Sequence, residues 1–299
     1  MTLSNDASDS PATPYQASGS LRGRTLLISG GSRGIGLAIA VRAAQDGANI
    51  VLMAKTGEPH PKLAGTVYTA AEELVAAGGQ ALPLVGDVRN DDDVARAVSA
   101  AVDRFGGIDV VINNASAIDL SRTDAVDMKR YDLMQDINVR GTFLLSKLAL
   151  PALRASAAGQ ILTLSPPLNL DPHWAGKHLA YTMAKYGMSL TTLGLAEELK
   201  ADGIRVNSLW PCTLIDTAAI RNMPHGDQMV QAARGPQIMA DAAHAVLTGA
   251  NLAAGGAASG AASGNFYTDE EVLAAAGVSD FRPYSLGAPE DRLVADIFL

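Results

Sequence analysis

A glycine-rich loop between a short apolar stretch and an amphipathic stretch constrains the fold of this chain more than any other feature. Residues 25–28 form a short apolar run that indicates a buried strand, and apolar residues recur at helical spacing after residue 35. Glycines let the backbone pass close to a pyrophosphate, and a helix N-terminus offers unpaired N–H groups and a partial positive charge to phosphates. The loop therefore predicts a dinucleotide site, whose candidate residues are Gly30, Ser32, Arg33, Gly34, Ile35 and Gly36.

The glycine spacing in this loop is unusual. Gly30-x3-Gly34-x-Gly36 differs from the familiar G-x-G-x-x-G pattern, which indicates a variant of the nucleotide-binding fold. Glycines also cluster in ordinary turns, so the loop alone leaves a purely structural role open.

Short apolar runs alternate with amphipathic patterns along most of the chain. Strands are predicted near residues 25–29, 50–54, 81–85, 110–112, 161–164 and 204–209, and residues 265–267 can supply a seventh. Helices are predicted near residues 35–46, 67–77, 92–105, 129–154, 181–201 and 238–247. This alternation predicts a single α/β domain over residues 21–299, with a Rossmann-like, doubly wound parallel sheet.

Three segments carry weaker or different patterns. Residues 1–20 are mainly Ser, Asp, Ala, Thr and Pro with little to bury, so we expect a disordered tail. Residues 249–264 are mainly Ala, Gly and Ser without periodicity, which indicates a flexible loop. Residues 294–299 are apolar enough to pack on the body or on a neighbouring molecule.

Composition restricts the partners of this chain. The net charge is −8 and the basic residues are scattered, which argues against nucleic-acid binding. No apolar stretch approaches the roughly 20 residues that cross a bilayer, and residues 1–20 lack a signal-peptide pattern, so we expect a cytoplasmic protein without a membrane span. The single cysteine, Cys212, excludes an internal disulfide, and the histidines show no metal-ligand spacing.

The end of the second predicted strand favours a phosphorylated cofactor. Enzymes that prefer NAD usually place an acid there for the adenosine ribose, whereas this chain has Ala54-Lys55-Thr56. Cations at Lys55 and Arg33 would favour a 2′-phosphate, so the sequence predicts NADP (NADPH). The alternative is that Lys55 is an ordinary solvated lysine.

A tyrosine and a lysine lie four residues apart at the start of a predicted helix. This spacing puts Tyr181 and Lys185 on one helix face. A free phenol has a pKa of about 10, and a neighbouring ammonium lowers that pKa by stabilising the phenolate. The pair is a candidate for proton transfer, although a tyrosine on a helix more often packs than reacts. The catalytic interpretation requires a Tyr181 hydroxyl that solvent can reach.

Taken in order, these features resemble the short-chain dehydrogenase/reductase family over about residues 23–217. The matching segments are the glycine loop, Asn113-Asn114-Ala115-Ser116, Asp87-Val88, Asn138, Ser165 and Tyr181-x3-Lys185. The resemblance implies an oxidoreductase in which Tyr181 is the general acid/base and Lys185 binds the nicotinamide ribose. It further implies that Ser165 holds the substrate oxygen and that Asn138 orders a proton-relaying water.

The resemblance also assigns further cofactor contacts. It implies that Asp87 and Val88 contact the adenine, that Asn114 and Ala115 lie against the cofactor, and that residues 213–217, including Leu214, bracket the nicotinamide. Three positions depart from the family pattern. Ser165 lies sixteen residues before Tyr181, which is longer than usual; Ser116 replaces a glycine, and Cys212 replaces a glycine after Pro211.

Residues 54–70 and 165–169 resemble the hydroxysteroid dehydrogenase-like and citronellol/citronellal dehydrogenase-like groups of that family. This implies an apolar alcohol or carbonyl substrate of lipid, terpenoid or steroid type, and a chain without the sterol-carrier domain of larger relatives. A non-catalytic NADP-sensing protein is the alternative, since it needs the glycine loop and Lys55 but no proton donor. An enoyl reductase is a nearer rival, but that branch spaces its tyrosine and lysine further apart.

Two predicted helices carry long apolar faces. Those of residues 129–154 and 181–201 resemble the helices with which family members form dimers and tetramers, so we expect a homodimer or a homotetramer. The alternative is that these faces only cover the sheet.

Overall fold

Seven parallel strands form the centre of the part of the chain that this computed structural model describes, which is residues 14–59, 65–249 and 262–299. The strands are β1 (Thr25–Ser29), β2 (Asn49–Ala54), β3 (Gln80–Val85), β4 (Val110–Asn113), β5 (Gln160–Thr163), β6 (Arg205–Trp210) and β7 (Phe266–Thr268). Their order in the sheet is β3-β2-β1-β4-β5-β6-β7. The predicted doubly wound sheet is therefore confirmed.

Helices cover both faces of this sheet. Those in the described ranges are α1 (Gly34–Gln45), α2 (Val67–Ala76), α3 (Asp91–Phe105), α4 (Met128–Met134), α5 (Gly141–Ala155), α6 (Pro172–Lys177), α7 (Leu179–Glu198), α8 (Ala218–Arg221), α9 (Gly226–Gln231), α10 (Gln237–Thr248) and α11 (Asp269–Ala275). A π-helical segment, Gln135–Arg140, joins α4 to α5. Short 3₁₀ turns occupy Lys200–Asp202, Arg282–Tyr284 and Glu290–Arg292. None of the described helices is long and apolar enough to cross a membrane.

The inner strands β1, β2 and β4 are largely apolar because both faces of the sheet are buried there, whereas β3 and β7 are only partly buried. In β1, Leu26 and Ile28 pack into the core beside α1 and α10, whereas Leu27 packs into the opposite core beside α3 and α5. A parallel sheet with helices on both faces requires apolar residues at successive positions rather than alternate ones.

The direction of the strand order reverses between β1 and β4. In open parallel sheets, ligands bind in the crevice beyond the carboxyl ends of the strands at such a reversal. The glycine loop follows β1 directly, so the sheet places it at this crevice.

Several predicted segments differ from the structure in detail. The predicted helix 129–154 consists of α4, the π-helical segment and α5. The seventh strand covers Phe266–Thr268 and pairs in parallel with β6. The predicted tail and loop lie largely outside the described residues, at positions 1–13 and 250–261. Within residues 14–20, the Tyr15 hydroxyl is hydrogen-bonded to His244 Nδ1 at 2.7 Å.

Candidate active site

The glycine loop after β1 is closed against the loop that follows β4. Gly30 and Gly34 have positive φ angles, +71° and +59°, which favour glycine. A Cβ on Gly36 would lie 2.5 Å from Asn114 Nδ2, and one on Gly30 would lie 2.9 Å from the Ala115 Cα. Larger side chains at either position would therefore push the two loops apart.

Asn114 holds the glycine loop in place. Its side-chain amide donates to the carbonyl oxygens of Ser29 and Gly30, at 3.0 and 2.9 Å. The backbone N–H groups of Asn114 and Ala115 both donate to the Ser29 hydroxyl at 3.2 Å. Asn114 and Ala115, which the sequence assigned to the cofactor, thus support the glycine loop. They do so as hydrogen-bond donors to its backbone and to Ser29.

The N-terminus of α1 suits an anion. The side chain of its N-cap residue, Arg33, makes no capping hydrogen bond among the described residues, and the first turn of α1 contains no acidic residue. The first N–H groups of an α-helix lack intrahelical partners and carry partial positive charge. The loop and the helix start therefore fit the pyrophosphate of a dinucleotide.

Basic side chains gather at the end of β2 and the start of α2. Lys55 is 58% exposed, and its Nζ lies 3.4 Å from Asp87 Oδ2. The Arg33 guanidinium donates through Nη2 to the Gly65 carbonyl at 2.7 Å. Its Nε is buried and has no hydrogen-bond partner among the described residues, which leaves a donor available there. Burial lowers the pKa of Arg33.

Asp87 is already held by a residue that the sequence analysis missed. Arg89 Nε donates to both carboxylate oxygens of Asp87, at 3.1 and 3.0 Å, and Nη2 donates to Oδ2 at 2.6 Å. Burial alone would raise the pKa of Asp87, but these bonds and the charge of Lys55 outweigh it and lower the pKa to about 2. Asp87 is therefore an ionised carboxylate paired with two cations. Val88, the other residue expected at the adenine, is buried beside it.

Lys185 lies on α7, one turn after Tyr181, and is fixed by the end of β5. Its Nζ donates to the Leu164 carbonyl at 2.6 Å and lies 4.8 Å from the ring centre of Trp210. Burial lowers the pKa of Lys185 to about 7, while the carboxyl of Asp296 opposes this shift.

The expected acidification of Tyr181 is absent from this arrangement. Burial raises the pKa of the Tyr181 phenol, the charge of Asp296 raises it further, and a hydrogen bond with Ser116 lowers it. The physical reason is that the phenol is desolvated, which disfavours its anion, while the Lys185 ammonium is bound to a carbonyl.

Tyr181 is also covered. The residue is 4% exposed, and the Phe298 ring stacks on it with ring centres 6.2 Å apart and an interplanar angle of 24°. The requirement that solvent reach the Tyr181 hydroxyl is therefore not met while Phe298 stays in this place.

Asn138 and Ser165 are both fully buried. Asn138 lies in the π-helical segment, where its Oδ1 accepts from the Ala117 N–H at 2.8 Å and its Nδ2 donates to the Ala117 carbonyl at 3.0 Å. The Ser165 hydroxyl is hydrogen-bonded to that of Ser208 at 2.8 Å, and Ser208 donates to Thr192 at 2.8 Å. Ser165 thus starts a buried chain of hydroxyl groups, and Asn138 fixes the loop after β4.

The loop expected at the nicotinamide pairs with residues 294–296. The Leu214 N–H donates to the Val294 carbonyl at 2.9 Å, and the Asp296 N–H donates to the Cys212 carbonyl at 3.0 Å. Burial raises the pKa of Cys212 to about 12, as suits a packing residue rather than a reactive thiol. The apolar composition of residues 294–299 was the only sequence signal for this contact.

Comparison with known proteins identifies the family to which this chain is similar. Residues 24–227 match the family model for short chain dehydrogenase. The chain is 52% identical over 281 residues to hydroxysteroid dehydrogenase-like protein 2 of Xenopus laevis, and 49% identical over 281 residues to the human protein of that name. Each alignment covers 94% of this chain but 64% of the relative, so the chain spans less than two thirds of these curated relatives.

Solved structures give the same result. A short-chain dehydrogenase from Mycobacterium thermoresistibile superposes with a TM-score of 0.85 at 50% sequence identity. The match covers 94% of this chain and 96% of that one, so the similarity extends well beyond the site.

Proposed function

This chain belongs to the short-chain dehydrogenase family, and we propose that it is an NADP-dependent oxidoreductase acting on an apolar alcohol or carbonyl compound. One observation carries the proposal. Asn114 binds Gly30 just past the end of β1, and Lys185 binds Leu164 just past the end of β5, with only β4 between these strands. The dinucleotide loop and the proton-transfer pair therefore share one edge of the sheet.

The preference for NADP rests on the cations near the adenosine end. Lys55 and Arg89 flank Asp87 and neutralise it, so this carboxylate does not repel a phosphate. The buried Arg33 Nε supplies a further unused donor. Guanidinium and ammonium groups are the usual partners of phosphate, which supports recognition of a 2′-phosphate.

Each residue near Tyr181 has a role in this proposal. A nicotinamide cofactor held here would supply or accept the hydride. Tyr181 gives its proton to the substrate oxygen during reduction and takes it back during oxidation. Lys185, which lies on α7 and donates to the Leu164 carbonyl past the end of β5, would bind the nicotinamide ribose. Asn138 fixes the Ala117 peptide, and Ser165 holds the substrate oxygen.

An apolar substrate is supported by the surroundings of Tyr181. Trp210 and Phe298 are buried in the same cluster as Tyr181, and Trp174 packs against that cluster. Relatives named for hydroxysteroid dehydrogenases are similar over nearly the whole of this chain, which is consistent with such a substrate. Because the alignment covers only 64% of these relatives, an activity like theirs is part of this proposal.

The direct test is the Tyr181→Phe variant. With NADPH and a panel of citronellal, cyclohexanone and a ketosteroid, we expect kcat/KM to fall at least about 100-fold, because the general acid is lost. NADPH binding, followed by its fluorescence, should be retained. Tyr267→Phe is the matched control, since it removes a phenol on β7 and should leave the rate unchanged. Equal rates for Tyr181→Phe and the wild type would overturn the mechanism.

A nucleotide-sensing protein is the second candidate, and the coverage of Tyr181 by Phe298 is the observation that favours it. Such a protein would bind NADPH tightly without consuming it on any carbonyl of the panel. Steady oxidation of NADPH by the wild type would exclude this candidate.

We also propose that α5 and α7 pair with a second copy to form a homodimer or homotetramer. Phe143 on α5 and Leu190 and Leu193 on α7 are large apolar side chains left exposed by the fold. Exposed apolar residues that cluster on neighbouring helices are typical of association surfaces.

A further inference from the structure

Residues 294–298 cross the candidate site from the side of the nicotinamide loop. Thr213 and Ala295 form an antiparallel bridge, flanked by hydrogen bonds from Leu214 N–H to the Val294 carbonyl and from Asp296 N–H to the Cys212 carbonyl. Beyond this bridge, Trp210 Nε1 donates to the Ile297 carbonyl at 2.9 Å. Hydrogen bonds to the loop that we assign to the nicotinamide thus hold this segment in place.

At the end of this segment, the Phe298 ring fills a cage of aromatic rings. Its ring centre lies between 5.2 and 6.2 Å from the ring centres of Trp174, His178, Tyr181, Tyr186 and Trp210, which we call the aromatic cage. Phe298 is 1% exposed. Aromatic rings at these separations pack favourably, so the cage is built to hold an apolar ring.

Phe298 also presents a carbonyl group. Its backbone oxygen accepts from Asn169 Nδ2 at 3.4 Å. This bond holds the end of the segment, while the Phe298 ring lies against the ring of Tyr181. The part of the segment that resembles an apolar substrate is therefore the Phe298 ring.

The reaction cannot take place while residues 294–298 lie in this position. A substrate oxygen must reach the Tyr181 hydroxyl, yet Phe298 stacks on that ring and leaves Tyr181 4% exposed. The Leu214 N–H is likewise taken by Val294. Both the substrate side and the loop that we assign to the nicotinamide are covered by the same few residues.

The position of residues 294–298 also requires an unfavourable backbone conformation. Phe298 has φ = +78°, in the left-handed region that a bulky residue rarely adopts. A residue held there costs conformational energy that the surrounding contacts must offset. The aromatic cage supplies these contacts, and a ligand that fills the cage would remove them.

We propose that the Phe298 ring occupies the place of the substrate's apolar group, and that residues 294–298 leave the site before substrate binds. This inference rests on the proposed function and narrows it. The substrates are alcohols, ketones or aldehydes whose reacting carbon lies in or beside a six-membered ring or an apolar group of that size. The segment competes with them, so the apparent affinity is reduced by the fraction of molecules in which it is withdrawn.

The first test removes the competing ring. For Phe298→Ala, with saturating NADPH and cyclohexanone as the substrate, we expect KM to fall about tenfold without loss of kcat. Leu299→Ala is the matched control, because Leu299 is exposed and lies next to Phe298 in the chain. An unchanged or higher KM in Phe298→Ala would show that Phe298 is a wall of the site or unrelated to it, and would overturn the proposal.

The second test locks the segment in place. Directly opposed residues in an antiparallel pair have Cα atoms about 4.5 to 5.5 Å apart, within the range of a disulfide. The triple variant Cys212→Ser/Thr213→Cys/Ala295→Cys would therefore link residues 213 and 295 once oxidised. We expect kcat/KM of the oxidised triple variant to be at least about 100-fold below that of the same variant reduced with dithiothreitol, so that the substitutions themselves are common to both measurements. Full activity of the oxidised protein, with the disulfide verified by mass spectrometry, would contradict the proposal.

A binding measurement separates this proposal from the proposed function. Calorimetric titration with cyclohexanol in the presence of NADPH, with which an alcohol cannot react, requires no turnover. Binding should be about tenfold tighter to Phe298→Ala than to the wild type, and abolished in the oxidised triple variant. If no carbonyl is reduced but these differences appear, the proposed reaction fails and the competition stands. If carbonyls are reduced but the differences are absent, the competition fails alone.

Discussion

At the scale of single residues, burial determines the ionisation of the candidate catalytic pair. Burial raises the pKa of Tyr181 and lowers that of Lys185 to about 7, so it favours the neutral form of each side chain. The four-residue spacing placed both groups on one helix, but it could not show that the Lys185 ammonium binds the Leu164 carbonyl. Displacement of Phe298 would return water to the phenol and relax this constraint.

The adenosine end yields a prediction for a single residue. Lys55→Glu places a second carboxylate beside Asp87 and would repel a 2′-phosphate. We expect the KM for NADPH to rise about tenfold and the KM for NADH to change less than about twofold. Because Lys55 is exposed, the effect on NADPH should shrink as the salt concentration rises.

The control for this prediction is Lys129→Glu, which makes the same charge change on the exposed face of α4. Its KM values for both cofactors should match those of the wild type. An equal rise in the KM values for NADPH and NADH in Lys55→Glu would show that Lys55 does not recognise the 2′-phosphate.

At the scale of the elements, the strands were predictable and one helical segment was not. The strands are short, and β1, β2 and β4 are largely apolar and buried on both faces, so composition alone predicts these three. The stretch after residue 128 has one continuous apolar pattern, yet it contains the π-helical segment Gln135–Arg140. Apolar periodicity does not resolve such a local widening, which here carries Asn138 to the Ala117 peptide.

The junction of β1 with α1 yields a prediction at this scale. A Cβ in Gly36→Ala would lie 2.5 Å from Asn114 Nδ2 and 2.8 Å from the Gly30 carbonyl oxygen. Relief of this collision breaks the hydrogen bonds that close the glycine loop, so we expect NADPH affinity to fall at least about tenfold and the unfolding free energy to fall by about 1 to 3 kcal/mol.

Gly107→Ala is the matched control for that substitution. A Cβ at Gly107 meets no heavy atom within 4 Å, and the residue has no positive φ. Calorimetry and NADPH fluorescence titration should therefore show a nearly unchanged protein. A Gly36→Ala variant with wild-type affinity would mean that the loop tolerates movement away from Asn114.

At the scale of the whole molecule, the contacts that sequence could not predict join distant parts of the chain. Residues 294–298 lie against a loop some eighty positions earlier, and the Tyr15 hydroxyl is hydrogen-bonded to His244. An apolar composition shows that a segment packs somewhere, but not where, because the partner is chosen by the assembled fold. The motifs predicted the candidate site, whereas the coverage of Tyr181 by Phe298 followed only from tertiary contacts.

The exposed face of α7 yields the prediction that belongs to the assembled molecule. Leu190 is 57% exposed on this helix, so in a monomer a glutamate there would cost little. In a dimer or tetramer built through α5 and α7, Leu190→Glu would bury a charge in an apolar interface and dissociate it. Sedimentation velocity at micromolar concentration should show a smaller species for Leu190→Glu, whereas Val75→Glu, at a residue 60% exposed on α2, should sediment as the wild type. A wild type that already sediments as a monomer would mean that these apolar side chains do not mediate association.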